Sequence, residues 1–76
     1  MPPKKSPRVQ AFGRAVREVR VERGFAQESF AAHAGIDRSY YGAIERGEFN
    51  VSLDTMVKLA AGLDTRVSVL LARAKL

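Results

Sequence analysis

Val9, Phe12, Val16 and Val19 recur at spacings of three and four, the period of one helical face. Arg14, Arg17, Glu18 and Glu22 fill the other side, and Gly24 marks the stop. A second, short helix is predicted from Gln27 to Ala34, with Phe30, Ala31 and Ala34 as its apolar stripe and Gly35 at its end. Asp37 is a good N-cap for a third helix reaching about Arg46, in which Tyr41 and Ile44 face inward; Gly47 closes it. Ser52 caps a fourth helix, with Val51 placed to pack against Met56 as a hydrophobic staple. Leu53, Met56, Leu59, Ala60 and Leu63 form its expected buried side, and Asp64 takes the turn that follows. Val67, Leu70, Leu71 and Ala74 give a last short helix. No segment alternates as a strand does, and no internal repeat appears, so the expected fold is all-α with five helices.

Length and charge narrow the function. A chain of 76 residues is one small domain, and a domain of that size buries only about 60% of its unfolded surface. Residues 1–8 hold three prolines and three cations without apolar periodicity and read as a flexible basic arm, leaving residues 9–76 as the folded domain. With no cysteine and a single histidine, the chain lacks the ligands for a zinc site and the groups for a Ser-His-Asp triad, so no metal, no cofactor and no enzymatic activity are expected. His33 falls on the polar side of the second helix and receives no role. No apolar run approaches the roughly 18 residues of a membrane span, and a cytoplasmic, nucleoid-associated location is expected. Thirteen Lys and Arg against eight Asp and Glu give +5, which makes nucleic acid the first partner to consider. No small-molecule ligand is evident.

Two short helices separated by Gly35-Ile36-Asp37 have the spacing of a helix-turn-helix. Ala31 is small enough for the two to cross closely, Gly35 permits the sharp turn, and Ile36 fills the angle between them. The ordered set Ala26-Gln27-Glu28-Ser29-Phe30-Ala31, Ala34-Gly35-Ile36 and Ile44-Glu45-Arg46-Gly47 resembles the phage-repressor and Cro type of helix-turn-helix, the XRE-like family. Asp37-Arg38-Ser39-Tyr40 and Asn50-Val51-Ser52-Leu53 further resemble the controller proteins of restriction–modification systems, and the likeness extends over about residues 9–72. Two positions depart from the pattern. Ala26 replaces the usual Ser or Thr cap, at a cost of about 1 kcal/mol to the second helix. Phe49 stands where controllers often carry arginine.

The resemblance implies a third helix lying in the major groove with its N-terminal residues at the base edges. Arg38 then carries a fork suited to guanine O6 and N7, a contact contributing about 1–3 kcal/mol of discrimination. Ser39 beside it can meet a base or a phosphate. Gly42 and Ala43 are expected one turn later on the exposed face, Ala43 against a thymine methyl, so direct readout is sparse and DNA shape carries part of the specificity. Gln27 matches the family's phosphate-anchoring glutamine. Tyr41 takes a core slot and leaves Tyr40 outward, its hydroxyl toward phosphate. Arg46 and Asn50 are expected at flanking phosphates, with solvated loop residues as the alternative; Arg17 can reach phosphate or lie on a solvated helix face. Lys4, Lys5 and Arg8 either trail over the DNA or only solubilise. Arg20 and Glu45 match a pair that braces the recognition helix against the scaffold.

One recognition helix reads too few base pairs for a selective site, and the family's solution is a two-fold dimer on half-sites about 34–36 Å apart. Val67, Val69, Leu70 and Leu71 make the last helix more apolar than one buried side needs and are the expected seam. The expected function is a homodimeric regulator of transcription on a pseudo-palindromic operator, blocking or touching RNA polymerase; controllers often do both from adjacent sites. The competing reading is an antitoxin-type helix-turn-helix protein whose main partner is a toxin.

Overall fold

A computed structural model describes residues 6–76 and contains five helices in the order α1 (Pro7–Glu22), α2 (Gln27–Ala34), α3 (Arg38–Glu45), α4 (Leu53–Gly62) and α5 (Val67–Arg73). No strand occurs among the described residues, and none of their helices is long and apolar enough to cross a membrane.

The helix starts follow local chemistry. Ser6 caps α1 by accepting from the Val9 amide at 3.2 Å, and Pro7 occupies a first-turn position where a missing N–H costs nothing. The helix thus begins two residues before Val9, and the arm drawn over residues 1–8 loses Ser6, Pro7 and Arg8 to the first turn of α1; Lys4 and Lys5 lie outside the described residues. Asp37 accepts from the Tyr40 amide at 3.1 Å to start α3, and Ser52 accepts from the Thr55 amide at 3.2 Å to start α4. Ala26 offers α2 no side-chain cap. Gly35 turns the chain out of α2 at φ +71°, a conformation easy only for glycine, and Asp64 takes φ +55° after α4.

The core draws on all five helices and on Leu63 at the end of α4: Phe12, Val16 and Val19, then Phe30 and Ala31, Tyr41 and Ile44, Leu59 and Ala60, and Leu70. Phe30 sits at its centre, with the Tyr41 ring 5.1 Å away. Where α1 crosses α3, the approach is backbone to backbone. Gly13 lies so close to the carbonyl oxygens of Ile44 and Glu45 that a methyl group there would overlap both. The floor beneath α3 is therefore set by an absent side chain.

Two burial assignments change. Leu53, expected on the buried side of α4, is 67% exposed, because the first turn of α4 projects past the edge of the core. Leu70, expected at a dimer seam, is fully buried and anchors α5 to the core of its own chain. It cannot serve as surface.

Candidate nucleic-acid interface

The eight residues of α3 are held on two sides, by α1 and by α2, so most of the helix is covered. Only its N-terminal turn, Arg38 and Ser39, is exposed. Ala43, expected on the open face, is 4% exposed and is removed from the set that can touch a base. Gly42 is also buried, yet it forms the floor of a shallow cleft of about 230 Å³ whose other walls are Gln27, Arg38, Ser39 and Arg46. With no side chain at Gly42, the Gln27 amide and the Arg46 guanidinium close in over its backbone.

The remaining predicted residues are placed elsewhere. Tyr40 is half-buried, with its ring 5.4 Å from that of Phe49. Asn50 and Phe49 belong to the wall of an apolar groove of about 370 Å³ that runs past Phe12, Met56 and Leu71. Arg17 is exposed on α1 and does not line the cleft. Phe25 stacks on His33 with the ring centres 5.0 Å apart, so His33 covers apolar surface.

Behind the cleft lies a buried ionic hub. Glu45 is 7% exposed and receives the Arg20 Nε–H at 2.6 Å, an Arg20 Nη2 donor at 3.2 Å, the Tyr41 hydroxyl, and the Gln27 Nε2 donor at 3.1 Å. A further Arg20 donor reaches the Phe25 carbonyl at 2.7 Å. No buried side-chain nitrogen or oxygen is left without a partner among the described residues. Burial pushes the Glu45 carboxyl up, but the bonds from Arg20, Tyr41 and Gln27 outweigh it and hold the group below the usual carboxylate range. Tyr41 moves the other way: desolvation, then its bond to Glu45, raise its hydroxyl far above the normal value. The hub joins α1, α2 and α3, and it aims Gln27, because an amide that gives one hydrogen to Glu45 keeps its second hydrogen and its oxygen for the cleft.

Two acidic neighbours had no signal in sequence. Glu28 on α2 lies 3.7 Å from the Arg38 Nε, and Glu48 holds Arg46 through contacts of 2.7 and 3.4 Å. Exposed pairs of this kind contribute about 0–1 kcal/mol. Both arginines are thus held by bonds weak enough to yield to a stronger partner. Tyr41 was readable as core but not as a donor, since its partner Glu45 is one helical turn away and only the burial of both makes the bond matter.

Replacing Gln27 with alanine removes a cleft donor and one of the Glu45 partners. Binding to every duplex sequence is expected to weaken by a similar factor, read by fluorescence anisotropy on several duplexes. Loss confined to one base position would contradict a phosphate role.

Comparison with known proteins agrees with this arrangement. Residues 16–70 match the helix-turn-helix family profile. Control protein C.MunI of Mycoplasma sp is 45% identical over 60 residues, covering 78% of this chain and 81% of that protein. Control protein C.SmaI of Serratia marcescens is 43% identical over 58 residues, covering 76% and 69%. The crystal structure of the restriction–modification controller protein C.AhdI from Aeromonas hydrophila superposes with a TM-score of 0.78 at 45% identity, covering 82% of this chain and 94% of that one. With the helix pair, the capped third helix and these relatives in agreement, the chain belongs to the helix-turn-helix family of DNA-binding transcription regulators and is of the restriction–modification controller type.

Proposed function

We propose that the protein is a homodimer that binds a two-fold operator in duplex DNA and controls transcription of restriction–modification genes. The observation that carries this reading is the cleft at the open end of α3, where Gln27, Arg38, Ser39 and Arg46 converge around the bare backbone of Gly42. Arg38 and Ser39 reach base edges, while Gln27 and Arg46 bind the phosphates on either side. The uncapped start of α2 adds to this. With no side chain bonded to its first amides, those N–H groups remain available to a phosphate oxygen. Tyr40 offers its hydroxyl to backbone phosphate, Asn50 and Arg17 contact the flanks, and bases beyond α3 are read through DNA shape.

The dimer seam follows exposed apolar surface. Val69 is 45% exposed on α5, and Leu53 and Val57, one turn apart on α4, are exposed as well. Val67 and Leu71 are half-buried and pack on the core, so they support the seam from beneath. The described chain measures 32 × 25 × 20 Å, a size on the scale of the roughly 34–36 Å between half-sites one DNA turn apart. Two chains of +5 give +10, and affinity is expected to fall steeply with salt through counterion release. Occupying the operator governs the access of RNA polymerase to the promoter, by binding and not by catalysis, in the bacterial cytoplasm.

Selection of bound sequences from a random duplex pool, followed by footprinting, tests the reading. Two related half-sites about one turn apart are expected; recovery of unrelated sequences, or no protection at low salt, would refute it. Val69→Glu is expected to shift sedimentation toward monomer and to weaken operator binding with the melting transition of the monomer intact. An unchanged dimer would exclude α5 as the seam.

A further inference from the structure

We infer that Phe49 is a positioning residue for DNA binding: its ring fixes Tyr40 in the orientation from which the Tyr40 hydroxyl meets a phosphate. The inference rests on the proposed DNA-binding role of Tyr40 and adds the group that sets it. Tyr40 is in the first turn of α3, and its ring packs partly on the core and partly on Phe49, with centroids 5.4 Å apart at a 60° tilt. That spacing lies in the range of attractive edge-on aromatic pairs.

Phe49 is itself well located for a loop residue. The chain leaves α3 through Gly47, which lies so near the Gln10 backbone that a Cβ would come within 2.7 Å of the Gln10 Cα. From that anchor the loop carries Phe49 into the wall of the apolar groove, with Val9, Phe12, Val51 and Met56. Phe49 is 39% exposed. One part faces the groove and another meets Tyr40, so the loop reaches back to α3 through the aromatic pair.

The physical effect is preorganisation. A helical tyrosine chooses between two χ1 wells, and a neighbouring ring selects one of them before DNA arrives. Ordering that would otherwise oppose binding is then already complete. Phe49 brings no charge, so its contribution is independent of salt, unlike that of a cation touching phosphate.

The test uses the full chain, the duplex recovered by selection, and a random-sequence duplex of equal length. Phe49→Leu keeps apolar volume in the groove but removes the ring. It is expected to weaken binding to both duplexes by on the order of three- to tenfold, with an unchanged salt slope, and Phe49→Tyr to restore it. In a Tyr40→Ala background, Phe49→Leu is expected to have no further effect. Losses that add across the two positions, or a reduced salt slope, overturn the proposal while leaving the role of Tyr40 intact. If Tyr40→Ala alone leaves affinity unchanged, the phosphate role of Tyr40 fails and this inference fails with it. Proton NMR of the free protein supplies a check that needs no DNA. Phe49→Leu is expected to move the Tyr40 ring resonances and leave those of Phe30 and Tyr41 in place; unmoved Tyr40 resonances overturn the inference even if affinity falls.

Discussion

Arg20→Ala is expected to cost the domain about 3–5 kcal/mol, because it strands the Glu45 carboxylate in a site that is 7% exposed. For a chain of 76 residues that is a large part of the total, since small domains have roughly 0.05–0.15 kcal/mol of stability per residue. Urea unfolding followed by circular dichroism measures it, as a lower midpoint at unchanged slope. A loss below about 1 kcal/mol would place the pair among ordinary surface contacts. Glu45→Gln is the milder change, since a neutral amide still accepts from Arg20. The hub also sets an acid limit. The Glu45 carboxyl is held below its unfolded value, so its contribution is complete above an unfolded pKa of about 4.3 and is lost as pH falls through the folded value. Wild-type stability is therefore expected to decline below that point, and Glu45→Gln to flatten the decline. Gln27 leans on the same carboxylate, so with its proposed phosphate role DNA affinity is expected to fall over the same range.

Arg38→Ala is expected to abolish selectivity while leaving the fold intact. The Arg38 side chain is 66% exposed and its ion pair to Glu28, at 3.7 Å, is long, so little stability depends on it. In the proposed complex its fork would supply about 1–3 kcal/mol of discrimination per half-site, and two half-sites would double the loss. Selected and random duplexes should then bind with similar, weak, salt-dependent affinity. Anisotropy with both duplexes reads the ratio, and thermal melting reads the fold. A variant that keeps its preference for the selected duplex would assign base reading to another residue. One that unfolds would make Arg38 structural.

The starts of α3 and α4 were legible because each carries its own capping chemistry. Asp37 and Ser52 cap where a capping side chain is expected, and Gly35 turns where the spacing of a helix pair requires it. The same logic, applied to Ser6-Pro7, would have started α1 at Pro7; three prolines in eight residues masked a cap followed by a first-turn proline. Exposure was harder to read than helicity. Ala43 and Leu70 were assigned to surfaces from their place on an isolated helix, but the neighbours that bury them come from other parts of the chain. Leu53 failed in the opposite sense, since apolar periodicity cannot show where a core ends. In the candidate interface, Gln27, Arg38, Ser39, Gly42 and Arg46 converge on one cleft. The bond between Gln27 and Glu45 and the acidic partners of the two arginines depend on side-chain directions that a linear pattern does not encode.

The last helix is seated on its own chain. Leu70 is enclosed by its own chain, and Arg73 clasps both Glu22 and Glu18 on α1. If the chain pairs as proposed, separated halves are expected to survive dilution as ordered bodies, and pairing to be a collision between finished shapes. Its speed would be governed by encounter and orientation, with no refolding step to wait for.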